Sequence, residues 1–95
     1  MTGTKRSSEG LDAHRRKLLF RSWHRGMREV DLILGAFADA EIASLTEEEM
    51  DQYERLLDVP DADLLRWVTG ERSIPESFQT SVMKRILASR RSISA

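Results

Sequence analysis

The stretch Met27-Arg28-Glu29-Val30-Asp31-Leu32-Ile33-Leu34-Gly35-Ala36-Phe37-Ala38 carries the clearest structural pattern in this chain of 95 residues. Apolar side chains recur along it at three- and four-residue steps, namely Met27, Val30, Ile33, Leu34 and Phe37. Side chains at this spacing share one face of an α-helix, and such a face must be buried against other elements. The stretch therefore predicts an amphipathic helix over about residues 27–38.

Another helix is predicted immediately upstream, from about Leu11 to Trp23. Its partial apolar stripe consists of Leu11, Leu18, Leu19 and Trp23. Between the two helices, His24-Arg25-Gly26 indicates a tight break, because glycine adopts the left-handed backbone conformation that commonly ends a helix. Residues 1–10 contain no apolar side chain after Met1, which predicts a disordered tail.

The third helix has a marked start downstream. In Leu45-Thr46-Glu47-Glu48-Glu49-Met50, the pair Thr46 and Glu49 forms a capping box, and Leu45 and Met50 are placed as a hydrophobic staple. The stripe then continues through Tyr53, Leu56 and Leu57. This capping role is favoured over a calcium loop, which would need spaced Asp or Asn ligands and a central glycine.

Two further helical segments follow. Asp61 is predicted to cap a short fourth helix over Ala62–Thr69, which Gly70 ends. Pro75 suits the first turn of a fifth helix. The inward stripe of that fifth helix is expected to hold Phe78, Val82 and Ile86, joined by Met83 and Leu87.

These segments predict an all-α fold, a small five-helix antiparallel bundle over residues 11–88, followed by a flexible tail over residues 89–95. A single domain of this size has a thin core and little room for a deep substrate cavity.

The chain has no cysteine, so disulfides and thiolate chemistry are excluded. No apolar run approaches the roughly 20 residues that cross a bilayer, so no membrane insertion is expected. We predict a monomer in a bacterial cytoplasm, with the mitochondrial matrix as the alternative.

Charge is unevenly distributed along the chain, although the net charge is only −1. Residues 1–30 hold eight Lys or Arg against three Asp or Glu, residues 31–70 hold two against eleven, and residues 71–95 hold five against two. This segregation predicts one basic and one acidic surface.

Few residues could carry catalysis. His14 and His24 are ten residues apart, which is not the i, i+4 spacing of a helical metal pair. No glycine-rich phosphate loop of the Rossmann or P-loop type is present, so tight binding of a dinucleotide by this chain is not expected. The sequence therefore favours a protein that acts on a partner over an enzyme.

A helix-turn-helix-like nucleic-acid-binding regulator is the alternative, because a basic helix, a glycine turn and a second helix share that outline. The second helix is mostly apolar and carries Glu29 and Asp31, whose carboxylates would repel phosphate. The isoelectric point is about 6.1, whereas basic nucleic-acid-binding domains exceed about 9.

The segment Arg25-Gly26-Met27-Arg28-Glu29 is the remaining feature. Arg25 and Glu29 bracket a glycine at the helix junction, so both side chains are expected to project at one exposed corner. Glycine also lets the backbone of a partner approach closely. On the residues alone, the simpler interpretation is a local surface ion pair of about 0.3–0.5 kcal/mol.

Arg25-Gly26-x-x-Glu29 matches the RGxxE motif, and the chain resembles the SdhE family of flavoprotein assembly factors over about residues 14–88. The context agrees in order and spacing, with a basic helix before the motif and the capped acidic segment after it. Tyr53–Asp58 and Asp63–Val68 follow in the family order. Residues 59–62 depart from the family pattern.

The resemblance implies a five-helix bundle that binds the flavoprotein subunit of succinate dehydrogenase and, in some bacteria, that of fumarate reductase. Such factors promote the covalent bond between FAD and a histidine of that subunit. FAD and the histidine belong to the partner, so the chain needs no catalytic group or tightly bound cofactor of its own. By match to the motif, Arg25, Gly26 and Glu29 are expected to contact the flavoprotein, with Arg28 and Asp31 beside them.

Overall fold

The computed structural model describes residues 10–94, with side chains described as far as residue 90. Its five α-helices are α1 (Ala13–Trp23), α2 (Arg28–Glu41), α3 (Glu47–Leu57), α4 (Asp61–Val68) and α5 (Ser81–Ser94). Two short 3-10 turns, Ile42–Ser44 and Glu76–Phe78, lie between them. No strand occurs in the described part, and the predicted all-α class is confirmed. The tail predicted for residues 1–10 lies, apart from Gly10, outside the described residues.

The predicted amphipathic helix α2 lies at the centre of the bundle, where it contacts α1, α4 and α5. Most of its predicted stripe is buried, including Val30, Leu34 and Phe37. Met27 and Ile33 are only half-buried and pack against the edge of the core. The rest of the core comes mainly from Leu18, Leu19, Ile42, Met50, Tyr53, Leu56, Val82, Met83 and Ile86.

The predicted break between α1 and α2 is confirmed. Gly26 lies between the two helices with φ of +106°, a backbone conformation that side-chain-bearing residues rarely adopt. Gly70 has φ of +84° and follows α4, as the sequence predicts. The two glycines therefore end their helices through backbone conformation.

Gly35 lets α1 and α2 approach closely, which the sequence analysis did not predict. A Cβ atom at this position would lie 2.3 Å from the nearest ring atom of Trp23. The Trp23 ring is half-buried, and its Nε1 donates a hydrogen bond to Asp39 on α2 at 3.2 Å. The indole thus occupies the space that a side chain at position 35 would need.

The capping box of α3 is confirmed. The Glu49 backbone N–H donates to Thr46 Oγ1, and the Thr46 backbone N–H donates to Glu49 Oε1, both at 3.1 Å. The bond from the Thr46 backbone lowers the pKa of Glu49 below its ordinary value. The Glu49 carboxylate also accepts from Arg85 and Ser81, so the same residue fastens α3 to α5.

The start of α4 differs from the prediction. Asp61 is the first helical residue rather than the cap, and Pro60 occupies the capping position without a side-chain hydrogen bond. The Asp61 carboxylate instead accepts from the Arg25 guanidinium. A tertiary contact has therefore replaced the local capping bond.

The start of α5 also differs. Pro75 precedes the 3-10 turn Glu76–Phe78 rather than the long helix. The Thr80 hydroxyl accepts from the Met83 backbone N–H at 3.2 Å, which gives α5 its own start at Ser81. Phe78 therefore packs its ring against Trp67, with ring centroids 5.3 Å apart, instead of lying on the stripe of α5.

Beyond residue 88, α5 continues as a helix to Ser94. The flexibility predicted for residues 89–95 stays a prediction. None of the described helices combines the length and apolarity required to cross a membrane.

Much of the segregated charge forms ion pairs within the molecule, and one basic and one acidic surface stay a prediction. Basic side chains from both ends of the chain pair with acids of the middle segment, residues 31–70. These pairs are Arg15–Glu47, Arg21–Asp58, Arg25–Asp61, Arg85–Glu41 and Arg85–Glu49, with His14 beside Glu54.

We predict that Gly35→Ala destabilises the protein by about 1–3 kcal/mol, because the added methyl group enters the space of the Trp23 ring. The same change in an unobstructed helix would stabilise it by about 1 kcal/mol. Urea denaturation followed by circular dichroism measures the difference. In a Trp23→Leu background the loss should shrink or reverse. A Gly35→Ala variant as stable as the wild type would contradict the close approach.

Candidate functional site

The link between α1 and α2 forms a corner of the molecule that holds all five residues predicted to bind a partner. The structure divides them into two groups. Arg25 and Asp31 make hydrogen bonds within the protein, whereas Gly26, Arg28 and Glu29 are exposed.

Arg25 is a largely buried connector. Its Nε donates to Asp61 Oδ1, its Nη1 to the carbonyl oxygen of Leu57 and its Nη2 to that of Val59, each at 2.5 Å. The side chains of Arg25 and Asp61 are only 9% and 17% exposed. The planar guanidinium thus binds three acceptors on the link between α3 and α4, a geometry that lysine cannot reproduce.

The prediction that Arg25 projects at an exposed corner near Glu29 is therefore wrong. The acid that Arg25 binds is Asp61, which lies 36 positions away in the sequence. Local spacing could not reveal this partner, because two of the three acceptors are backbone carbonyls. The assignment of Arg25 to partner binding stays a prediction.

Asp31 fixes the same corner from α2. Its Oδ1 accepts from the Arg25 backbone N–H at 2.8 Å, so the carboxylate supports the backbone just before Gly26. At Gly26 itself, a Cβ atom would meet no heavy atom within 4 Å. The need for glycine there is thus conformational, and the outer side of the backbone is open.

Arg28 and Glu29 lie on the first turn of α2 and are exposed. Within residues 10–90, neither side chain has a hydrogen bond or an ion pair. The position of Glu29 suits the helix dipole, whose positive end lies at this turn. Two opposite charges are thus held on a rigid element and remain available to another molecule.

Two exposed apolar residues were missed by the sequence analysis. Phe20 is 62% exposed and Leu32 is 51% exposed. Phe20 stacks on His24, with ring centroids 3.8 Å apart and an interplanar angle of 13°. Leu32 follows Glu29 by three positions and so lies on the same side of α2. The sequence could have indicated their exposure, because both residues fall outside the apolar stripes of their helices.

The described residues offer little for catalysis. The buried hydroxyl groups of Ser22 and Tyr53 lie 2.5 Å apart, and the Tyr53 hydroxyl also donates to the Leu34 carbonyl oxygen at 3.3 Å. Burial raises the pKa of Tyr53, so this phenol stays protonated. No cluster of three or more potential metal ligands occurs in the described part of the chain. The exposed charges of Arg28 and Glu29 suit the corner to recognition of another molecule.

Comparisons with known proteins agree with that character. A family model described as "Flavinator of succinate dehydrogenase" matches residues 16–90, a range that contains the whole corner. The mitochondrial succinate dehydrogenase assembly factor 2 of Dictyostelium discoideum is 44% identical over 74 residues, which cover 78% of this chain and 52% of that protein. The FAD assembly factor SdhE of Acetobacter pasteurianus is 36% identical over 81 residues, covering 85% and 74%.

A further mitochondrial succinate dehydrogenase assembly factor 2, that of Schizosaccharomyces pombe, is 41% identical over 76 residues. That match covers 80% of this chain and 55% of the relative. The chain thus spans about half the length of these two mitochondrial relatives and a larger share of the bacterial one.

We predict that Arg25→Ala lowers the free energy of unfolding by about 2–4 kcal/mol, because it leaves the Asp61 carboxylate and two carbonyl groups without their donor. Arg28→Ala is the matched control, since it removes an arginine from the same corner that has no partner in the described structure. Its effect should stay within about 0.5 kcal/mol. Urea denaturation measures the free energy of unfolding of both variants. Equal values would show that the contacts of Arg25 contribute nothing to stability.

Proposed function

The chain belongs to the family described as flavinator of succinate dehydrogenase, and on this premise we propose that it is an assembly factor for the flavoprotein subunit of that enzyme. In this role it binds the subunit and promotes covalent attachment of FAD to one of the subunit's histidines. The observation that carries the proposal is the family match over residues 16–90, which includes the corner with its exposed charges.

The proposed role requires a binding surface and no reacting group on this chain. The flavin and the acceptor histidine both belong to the partner, so the factor contributes by holding the partner in a competent arrangement. Positioning of this kind can supply several kcal/mol of barrier lowering, and up to about 7–11 kcal/mol for well-oriented groups. We therefore propose a non-catalytic role for this chain.

Within the corner, we assign different tasks to the two arginines. Arg25 positions the link by binding the segment between α3 and α4, while Arg28 and Glu29 contact the flavoprotein. Leu32, one turn after Glu29, supplies exposed apolar area, and so does the Phe20 ring, which stacks on His24 of the link. Aromatic and arginine side chains are enriched among the residues that contribute most to protein–protein binding.

We propose that FAD is not held by this chain before it meets the partner. The sequence has no phosphate-binding loop of the two common types, and a domain this small has little interior with which to enclose a flavin ring. The chain purified without the flavoprotein should therefore lack the visible flavin absorption band. Purified protein that retains stoichiometric flavin would contradict this part of the proposal.

The proposed role also has a partner, an oligomeric state and a cellular compartment. We propose that the free factor is a monomer that binds the succinate dehydrogenase flavoprotein, and in some bacteria the fumarate reductase flavoprotein. The relatives include a bacterial protein and mitochondrial ones. We accordingly propose a bacterial cytoplasm, with the mitochondrial matrix as the alternative, as the place where it acts.

The nucleic-acid alternative is not favoured. The basic side chains of the first helix and its link are largely paired inside the fold, as Arg15, Arg21 and Arg25 show. Phosphate binding would have to displace these acids. The second helix presents Glu29 beside Arg28 on its exposed first turn, which does not suit a polyanion.

We predict that Glu29→Ala and Arg28→Ala each reduce covalent flavin on the dehydrogenase subunit while leaving thermal unfolding of the factor unchanged. Both side chains are exposed and have no partner in the described structure, so their removal opens no cavity. The assay is flavin fluorescence of the subunit in a denaturing gel, from cells that lack the native factor and express each variant.

Glu48→Ala provides the matched control, since Glu48 is an exposed glutamate in the first turn of α3, away from the corner. It should restore flavin attachment to the wild-type level. If the Glu29 and Arg28 variants also restore it fully at equal expression, the corner is not the contact site. If the wild-type factor does not raise covalent flavin at all, the proposed function is wrong.

A further inference from the structure

A second surface lies at the far end of α4, away from the corner. It is an open groove of about 470 Å³ between the end of α4, the segment that follows it and α5. Its floor is formed by Trp67, Ile74 and Leu87, and two arginines, Arg72 and Arg90, line it as well. We call it the C-terminal groove.

The floor of the groove is apolar and packs against the hydrophobic core. Trp67, Ile74 and Leu87 are each half-buried and pack against the hydrophobic core. The Trp67 ring is braced by Phe78, whose ring centroid lies 5.3 Å away. Half-buried apolar side chains of this kind can bury further area when another molecule covers them.

The two arginines of the groove differ from those that hold the bundle together. Arg15, Arg21, Arg25 and Arg85 all bind acidic side chains within the fold. Within residues 10–90, the guanidinium groups of Arg72 and Arg90 have neither an ion pair nor a hydrogen bond. The groove therefore combines an apolar floor with two positive charges that have no counterpart in the described structure.

This combination selects an occupant with acidic and apolar side chains, because complementary charge favours binding and like charge opposes it. The chain's own ends do not match it. Residues 1–9 contain Lys5 and Arg6 against a single acid, and the segment after residue 90 adds Arg91 and no acid. Charge complementarity therefore favours another molecule as the occupant.

We propose that the C-terminal groove is a second docking site for the flavoprotein subunit, which takes an acidic segment of that subunit bearing a large apolar side chain. This inference rests on the proposed function, since it assumes the same partner as the corner. The carboxylates of the segment bind Arg72 and Arg90, and its apolar side chain covers Trp67 and Leu87.

The position of the groove supports simultaneous use of both surfaces. The Arg25–Asp61 pair lies at the first residue of α4, and the groove begins at the other end of this eight-residue helix. At about 1.5 Å of rise per residue, the two ends are about 10 Å apart. Two contacts on one rigid spacer strengthen each other, because the second forms at high effective concentration.

The test is calorimetric titration of the purified flavoprotein subunit with the full-length factor. We expect the double variant Arg72→Glu/Arg90→Glu to weaken binding by about tenfold or more, since it opposes like charges across the interface. Lys84→Glu is the matched control, an exposed charge reversal on α5 that does not line the groove. It should change the dissociation constant by less than about twofold.

A second measurement identifies what enters the groove. A photo-crosslinking amino acid is placed at Ser73, which is exposed and lines the groove, and in a separate variant at Lys84. We expect the Ser73 variant to capture a peptide of the flavoprotein subunit that contains Asp or Glu. The Lys84 variant should not capture that peptide. Capture of a peptide without acidic residues would overturn the proposed occupant.

The outcomes separate this inference from the proposed function. If the wild-type factor binds the subunit and the groove variant binds as tightly as Lys84→Glu, the groove is not a docking site and the proposed function stands. If the wild-type factor does not bind the subunit, both proposals fall. If sedimentation shows that the wild-type factor self-associates and the groove variant does not, the groove binds a second copy of this chain and the proposed occupant is wrong.

Discussion

The guanidinium of Arg25 joins two parts of the chain that no regular hydrogen-bonding pattern would connect. The link between α1 and α2 and the link between α3 and α4 each place one half-buried apolar side chain, Met27 and Val59, against the edge of the core. Arg25 supplies three donors to the second link, while Asp31 binds the backbone of the first. The exposed charges of the corner lie on the first turn of α2, directly after the link that this connection holds. Breaking a buried pair of this kind leaves its acceptors without compensation, which is more costly than losing an exposed pair.

The helices could be predicted from the sequence because their signals are local. The stripe of α2, the capping box of α3 and the glycine break after α1 each lie within a few residues, and each is found in the structure. The contacts that shape the site could not be predicted, because their partners are remote in sequence. Asp61 appears in the sequence as a helix cap, and Trp23 shows no sign that it rests on Gly35. The start of α5 was predicted wrongly from Pro75, because proline also suits the start of a 3-10 turn.

The predicted site residues lie together on the link between α1 and α2, but their surroundings differ. The sequence suggested that Arg25 and Glu29 act alike, and the structure makes one a buried connector and the other an exposed charge. The uneven distribution of charge along the sequence likewise reflects ion pairs between helices. Much of it brings the basic first helix and the acidic third helix together, through pairs such as Arg21–Asp58. A basic run in a small helical protein can thus encode a contact between its own helices.

The placement of the two tryptophans gives the molecule its own optical reporters. Trp23 is the last residue of α1, and its ring lies against Gly35 of α2, whereas Trp67 lines the C-terminal groove. Both indoles are half-buried, so covering or uncovering either one alters the polarity of its surroundings and hence its emission. With one tryptophan replaced by phenylalanine at a time, the remaining signal reports on a single region. The packing of α1 on α2 and the occupancy of the groove can then be followed separately in the unlabelled protein, in real time, during an encounter with another molecule.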